Sequence, residues 1–191
     1  MKRRQVLRTL ALTATVNGGL AGKVAFAQIA ADVPALLRKG GCAVMLRHAQ
    51  TEPGVGDPPG YRLDQCTSQR NLSDEGKAQA KRIGQWFKDN ALRPRSIQVS
   101  AWCRCKDTAT LAFGNYAVLD ALGSTFDDRT LQDRQTQELR ARLKNIPLGQ
   151  FEVWVTHQVN ITALTSKVPA MGEAMIVDSK AQLLGRTLFT N

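Results

Sequence analysis

Two short apolar runs, each leading into a histidine, constrain this chain more than any other feature. Cys42-Ala43-Val44-Met45-Leu46 runs into Arg47-His48, and Val153-Trp154-Val155-Thr156 runs into His157. Runs this short and this continuously apolar read as strands buried on both faces, which belong to a sheet covered by helices on either side. The chain has only 2 histidines, and both stand just past the carboxyl end of such a strand. In open α/β sheets, that is the end at which ligands bind.

The segments between the runs fit the same plan. A short opening helix is expected over Val33–Lys39. Ser73-Asp74-Glu75 reads as a helix cap with acids in its first turn, and Gly76, Ala80, Ile83 and Phe87 follow on one face until Asn90, ahead of Arg93-Pro94. A strand over 97–100 leads into a helix through Thr108, Leu111 and Phe113. A shorter strand is expected over 116–119 and a helix over 130–144, with Leu131, Leu139 and Leu143 on its apolar stripe. The strand ending at Thr156, a helix over 160–165 and a last strand over 174–178 complete the pattern. Strands alternating with helices predict an α/β fold, a three-layer α/β/α sandwich with a mostly parallel central sheet.

The amino terminus stands apart from this domain. Arg3-Arg4 near the start, a weakly apolar stretch and Ala25-Phe26-Ala27 before Gln28 read as a signal peptide over residues 1–27, of the twin-arginine type. The segment is too polar and too short to span a bilayer, so cleavage would leave no stable membrane insertion. Residues 28–191 then form one domain, expected in the periplasm or outside the cell. The formal charge of +10 falls to +5 once Lys2, Arg3, Arg4, Arg8 and Lys23 are removed, because the leader carries no acid. That balance suits an anionic substrate. The remaining basic residues are scattered, with no basic run and no aromatic stripe beside them, so nucleic acid is not an expected partner.

Two arginines and two histidines at strand ends have an economical use, the capture and transfer of a phosphoryl group. Guanidinium forks bind phosphate oxygens bidentately and stay charged, while a neutral imidazole can attack phosphorus. A second imidazole, if protonated, would add a donor where charge develops. Such a scheme needs neither metal nor cofactor. Cys103-Arg104-Cys105 has the wrong spacing for zinc. The Gly- and Pro-rich stretch 52–60, directly after His48 and Thr51, is a loop and a candidate rim of the site.

These motifs resemble the histidine phosphatase superfamily, the phosphoglycerate mutase-like fold. The resemblance is carried by Arg47-His48-Ala49-Gln50-Thr51, by Asn71-Leu72-Ser73 through Gly76 to Gln79-Ala80, by Ser100 to Arg104 with Thr108-Ala109, and by Val155-Thr156-His157-Gln158. It implies His48 as the phosphorylated nucleophile, Arg47 and Arg104 as the phosphate clamp, and His157 as the second pocket histidine. Thr51, Arg70 and Gln158 would bind substrate, Gln158 through its backbone N–H. The acid that protonates the leaving group is expected at Asp128, with Asp127, Asp133 and Glu138 as alternatives. The implied activity is hydrolysis of phosphate monoesters of a small molecule or an envelope component. A silent phosphate-binding module of the envelope and a phosphohistidine- or phosphoglycerate-type phosphotransfer enzyme are the other readings. If the family fold holds, Cys66 can reach Cys103 or Cys105, the latter favoured, while Cys42 stays in the core.

Overall fold

A computed structural model describes residues 33–189. The expected leader, residues 1–27, lies outside the described residues. Among the described residues six strands form one sheet: β1 (Cys42–Arg47), β2 (Ser96–Val99), β3 (Ala117–Val118), β4 (Phe151–Thr156), β5 (Ala174–Asp178) and β6 (Leu183–Thr187), in the order β3-β2-β4-β1-β5-β6. The helices are α1 (Val33–Lys39), α2 (Asp74–Asp89), α3 (Cys103–Phe113), α4 (Gln132–Leu143) and α5 (Gln158–Thr165). β1, β4, β2 and β3 run parallel, while β5 is antiparallel to β1 and β6 to β5.

Every residue of β4 and all but the last of β1 are buried. Side-chain alternation divides β1 between two cores. Cys42, Val44 and Leu46 pack with Val33, Leu37, Ile83, Phe87 and Ala109 from α1, α2 and α3. Ala43 and Met45 pack with Leu139, Leu143, Ile161 and Leu164 from α4 and α5. The sandwich therefore has three layers, as expected.

The far edge of the sheet departs from the parallel plan. The loop after α5 returns to the carboxyl end of β1, where the Gly172 N–H donates to the Arg47 and His48 carbonyls at 3.2 and 3.0 Å. A chain that has already climbed back must run downward as β5, hence antiparallel. β6 goes beyond the elements expected from the sequence: Gly185 sits inside it and a register shift falls at Ile176/Val177, so its residues lack the alternation of a regular strand.

The helix that follows the first histidine is held by one close approach. Ser73 caps α2, its Oγ accepting from the Gly76 N–H at 3.1 Å. A Cβ on Gly76 would collide with the Gln50 carbonyl oxygen, so only glycine lets the helix meet the loop beyond His48.

Candidate active site

The register of the central strands sets the site. Arg47 pairs with Thr156 in parallel, so the next residues, His48 and His157, stand side by side with ring centroids 5.5 Å apart. Val99 pairs with Val155 on the other side of β4, which brings Ser100 and the start of α3 to the same edge. The chain leaves β1 toward β2 and leaves β4 toward β5, in opposite directions across the sheet. This switch point opens a crevice, as doubly wound sheets require. A cleft of about 390 Å³ fills it, with Arg47, His48, Arg70, Arg104, His157 and Gln158 in its wall.

Each imidazole has a defined role in hydrogen bonding. His48 Nδ1 is 2.9 Å from the Ala49 carbonyl, which can only accept, so Nδ1 carries the hydrogen and Nε2 keeps its lone pair. Arg104 Nη2 stands 3.5 Å from His157 Nδ1 and can only donate, so His157 donates through Nε2 to Ser100 Oγ at 2.7 Å. Burial, reinforced by Arg104, pushes His48 from 6.5 down to about 3 and holds His157 well below its ordinary value. Both rings are therefore neutral in the open cleft. A neutral His48 fits a nucleophile, whereas His157 is not the charged donor that the sequence reasoning allowed for.

The arginines are anchored but incompletely satisfied. Arg47 donates through Nη1 to Gln158 Oε1 and to the Pro169 carbonyl, both at 2.8 Å. Arg70 donates to the Gly54 carbonyl. The Nε atoms of Arg47, Arg70 and Arg104 are buried with no partner among the described residues. Burial, then repulsion among the three, lowers Arg47 and Arg70 from their usual range. Three desolvated cations with spare donors in one wall suit a cluster of anionic oxygens. The first turn of α5, at Gln158 and Val159, adds helix N–H groups to the same cleft.

Two expected residues do not join the cleft. Asp128 caps the turn Arg129–Leu131, its Oδ1 accepting from the Thr130 N–H at 2.9 Å and hydroxyl at 2.6 Å, and it is exposed. Neighbouring Asp127 does line the cleft; the two differ because a turn aims successive side chains apart. Thr51 is buried with its hydroxyl 3.7 Å from Met171 Sδ, in a bridge that pairs it with Leu72, and serves the loop rather than the pocket. Among the remaining acids, Asp133 and Glu138 lie on α4 and not in the cleft wall.

Two residues take roles that the motifs do not assign them. Thr108 Oγ1 accepts from the Ala49 N–H at 3.0 Å and donates to the Arg104 carbonyl at 2.6 Å, tying the loop beyond His48 to α3. Asp57, in the expected rim loop, enters the cleft: its Oδ1 and Oδ2 accept from Arg104 Nη1 at 2.7 and 3.0 Å. An acid in a Gly- and Pro-rich loop close after a histidine is its only sequence signal.

The disulfide joins Cys66 to Cys103, with Cα atoms 5.6 Å apart, and not to Cys105. Positions two apart on a helix point about 200° apart. Cys103 therefore faces the loop, and Cys105 faces the core beneath His157, its sulfur 3.6 Å from Nε2. Cys42 is buried and free, as expected. Among the described residues no cluster of His, Cys, Asp and Glu could hold a metal ion, and no helix is long and apolar enough to cross a membrane.

Fold and cleft together define an α/β protein with paired histidines and three arginines at the sheet's switch point. Residues 43–121 match the model of the histidine phosphatase superfamily (branch 1). No curated protein matches it. Among solved structures, the protein TTHB049 of Thermus thermophilus is similar at 18% identity and a TM-score of 0.53, over 76% of this chain and 98% of that one. The product of reading frame Rv3214 of Mycobacterium tuberculosis is similar at 18% identity and 0.53, over 71% and 89%. A candidate α-ribazole-5'-P phosphatase from Escherichia coli is similar at 15% identity and 0.51, over 76% and 93%. At these identities the likeness is one of fold.

Proposed function

We propose that this chain is an exported phosphoric monoester hydrolase that works through a phosphohistidine on His48. One observation carries the reading: a neutral His48 with a bare Nε2 stands in a wall of three arginines, each with a buried Nε that has no partner among the described residues. Nε2 attacks phosphorus, the P–N bond forms, and the P–O bond to the leaving group breaks. Water then attacks the phosphohistidine, and phosphate leaves with His48 neutral again. Arg47 and Arg104 clamp the equatorial oxygens, and Arg70 and the Gln158 N–H supply further donors. His157 shares the wall of the clamp, held in one tautomer by Ser100. The exposed Phe126 and Val55 at the mouth meet the leaving group, so the substrate is a phosphate ester with an apolar portion near the reacting oxygen. The leader over residues 1–27 supports a periplasmic or secreted site of action.

Rapid quench with a labelled ester tests this directly. Acid-labile, base-stable label on His48 is the expected result, and a chelator should leave the rate unchanged. Label on Ser, Cys or Asp would overturn the mechanism, and tight phosphate binding without turnover would mean a binding module.

A further inference from the structure

Among the described residues, Asp57 is the one carboxylate that touches the phosphate clamp. Besides Arg104, its Oδ1 accepts from the Arg70 N–H at 2.9 Å and its Oδ2 from Trp102 Nε1 at 3.2 Å. Its side chain is 3% exposed and that of Arg104 5%. The carboxylate thus occupies part of the guanidinium fork that a phosphoryl group would need. A phosphoryl dianion arriving at the same buried guanidinium raises the carboxylate's affinity for a proton. We propose that Asp57 is the general acid of this site: the substrate phosphoryl group takes over Arg104, Asp57 takes up a proton from solvent as the substrate binds, and that proton passes to the leaving oxygen.

The proposal rests on the phosphohistidine reading and completes its proton balance. As the P–O bond breaks, protonated Asp57 gives its proton to the departing oxygen and becomes a carboxylate. In the second step that carboxylate takes a proton from the attacking water, so the hydroxyl joins phosphorus and Asp57 is protonated again. When phosphate leaves, Asp57 loses the proton and returns to Arg104. The groups that face it are Arg104 and Arg70, Tyr61, whose ring lies 6.2 Å from Trp102, and the two histidines of the cleft. Asp127 and Arg129 line the mouth beyond, with Asp127 Oδ2 held by the Tyr61 hydroxyl at 3.3 Å. In the open cleft the Arg104, Arg70 and Trp102 hydrogen bonds outweigh burial, the largest single influence, and hold Asp57 below the usual carboxylate range. An arriving dianion reverses that balance.

The test compares leaving groups. Asp57→Asn should lower kcat/KM for alkyl phosphates by about a hundredfold or more and for nitrophenyl phosphate by less than about tenfold, because a good leaving group needs no proton. A residue that merely positioned Arg104 would slow both alike, and equal losses overturn the proposal. So does a steeper leaving-group dependence in Asp127→Asn with none in Asp57→Asn. Infrared difference spectra of the wild-type protein supply a readout independent of any variant. Tungstate binding near neutral pH should produce a protonated-carboxyl band that shifts with carbon-13-labelled aspartate, and its absence overturns the assignment. Failure of the functional reading looks different: the wild type then turns over neither class of ester.

Discussion

At the scale of single residues, the site depends on hydrogen-bond direction more than on residue type. His48 presents a bare Nε2 because the Ala49 carbonyl takes its Nδ1 hydrogen, and His157 is a fixed neighbour because Ser100 takes its Nε2 hydrogen. Arg104 matters through its fork, of which Asp57 takes only Nη1 in the open cleft. Arg104→Lys keeps the charge and loses the bidentate geometry. It should lower kcat/KM at least about tenfold, on the order of 1.4 kcal/mol of transition-state stabilisation, in steady-state assays with any ester. Near-wild-type kinetics would remove Arg104 from the clamp. The residue types Arg47, His48, Arg104 and His157 were legible from strand ends and motif. Which carboxylate joins them was not, because Asp57, Asp127 and Asp128 all lie in loops whose path no periodicity encodes.

At the scale of elements, the site is assembled by helices and loops pinned to one another. Gly76 lets α2 touch the Gln50 carbonyl, and Thr108 links the Ala49 N–H to α3. Gly76→Ala should therefore cost at least about 1 to 3 kcal/mol of stability in denaturant unfolding and lower activity too, since the loop it displaces carries His48. Full activity with unchanged stability would show that the helix can slide away freely. The Cys66–Cys103 bond ties the loop before α2 to the first residue of α3, beside Arg104. Its reduction should lower stability by roughly 2 to 4 kcal/mol, read as a lower Tm with reductant. Two alkylatable thiols in the oxidised protein, Cys42 and Cys105, is the result expected from mapping the unfolded chain; four would mean that the bridge is absent in solution.

At the scale of the whole molecule, burying two neutral histidines beside arginines makes stability depend on pH. The unfolded chain binds a proton at each histidine near 6.5, whereas folded His48 stays neutral down to about 3. Between those values the unfolded state holds more protons, so stability falls as pH falls, by about 1.4 kcal/mol per pH unit for each such histidine. Urea unfolding at pH 7 and pH 5 should show the loss, and His48→Ala should make it shallower. An equal slope in that variant would mean that His48 is not buried neutral.

Local patterns of residues suffice for the strands that carry the histidines, the capped helix after the first of them, and the three-layer plan, because each follows from a local period of apolar residues or from a local cap. They also suffice for the residue types at the strand ends, since one residue of slip would exchange the two faces of a buried strand. Long-range packing settles the rest. The in-register parallel pairing of β1 with β4 makes two distant histidines neighbours, and the returning loop at Gly172 turns β5 antiparallel. The helical twist selects Cys103 over Cys105, and the fold of the 52–60 loop puts Asp57 on Arg104. These outcomes depend on contacts between residues far apart in the chain, whose geometry no local pattern of side chains can encode.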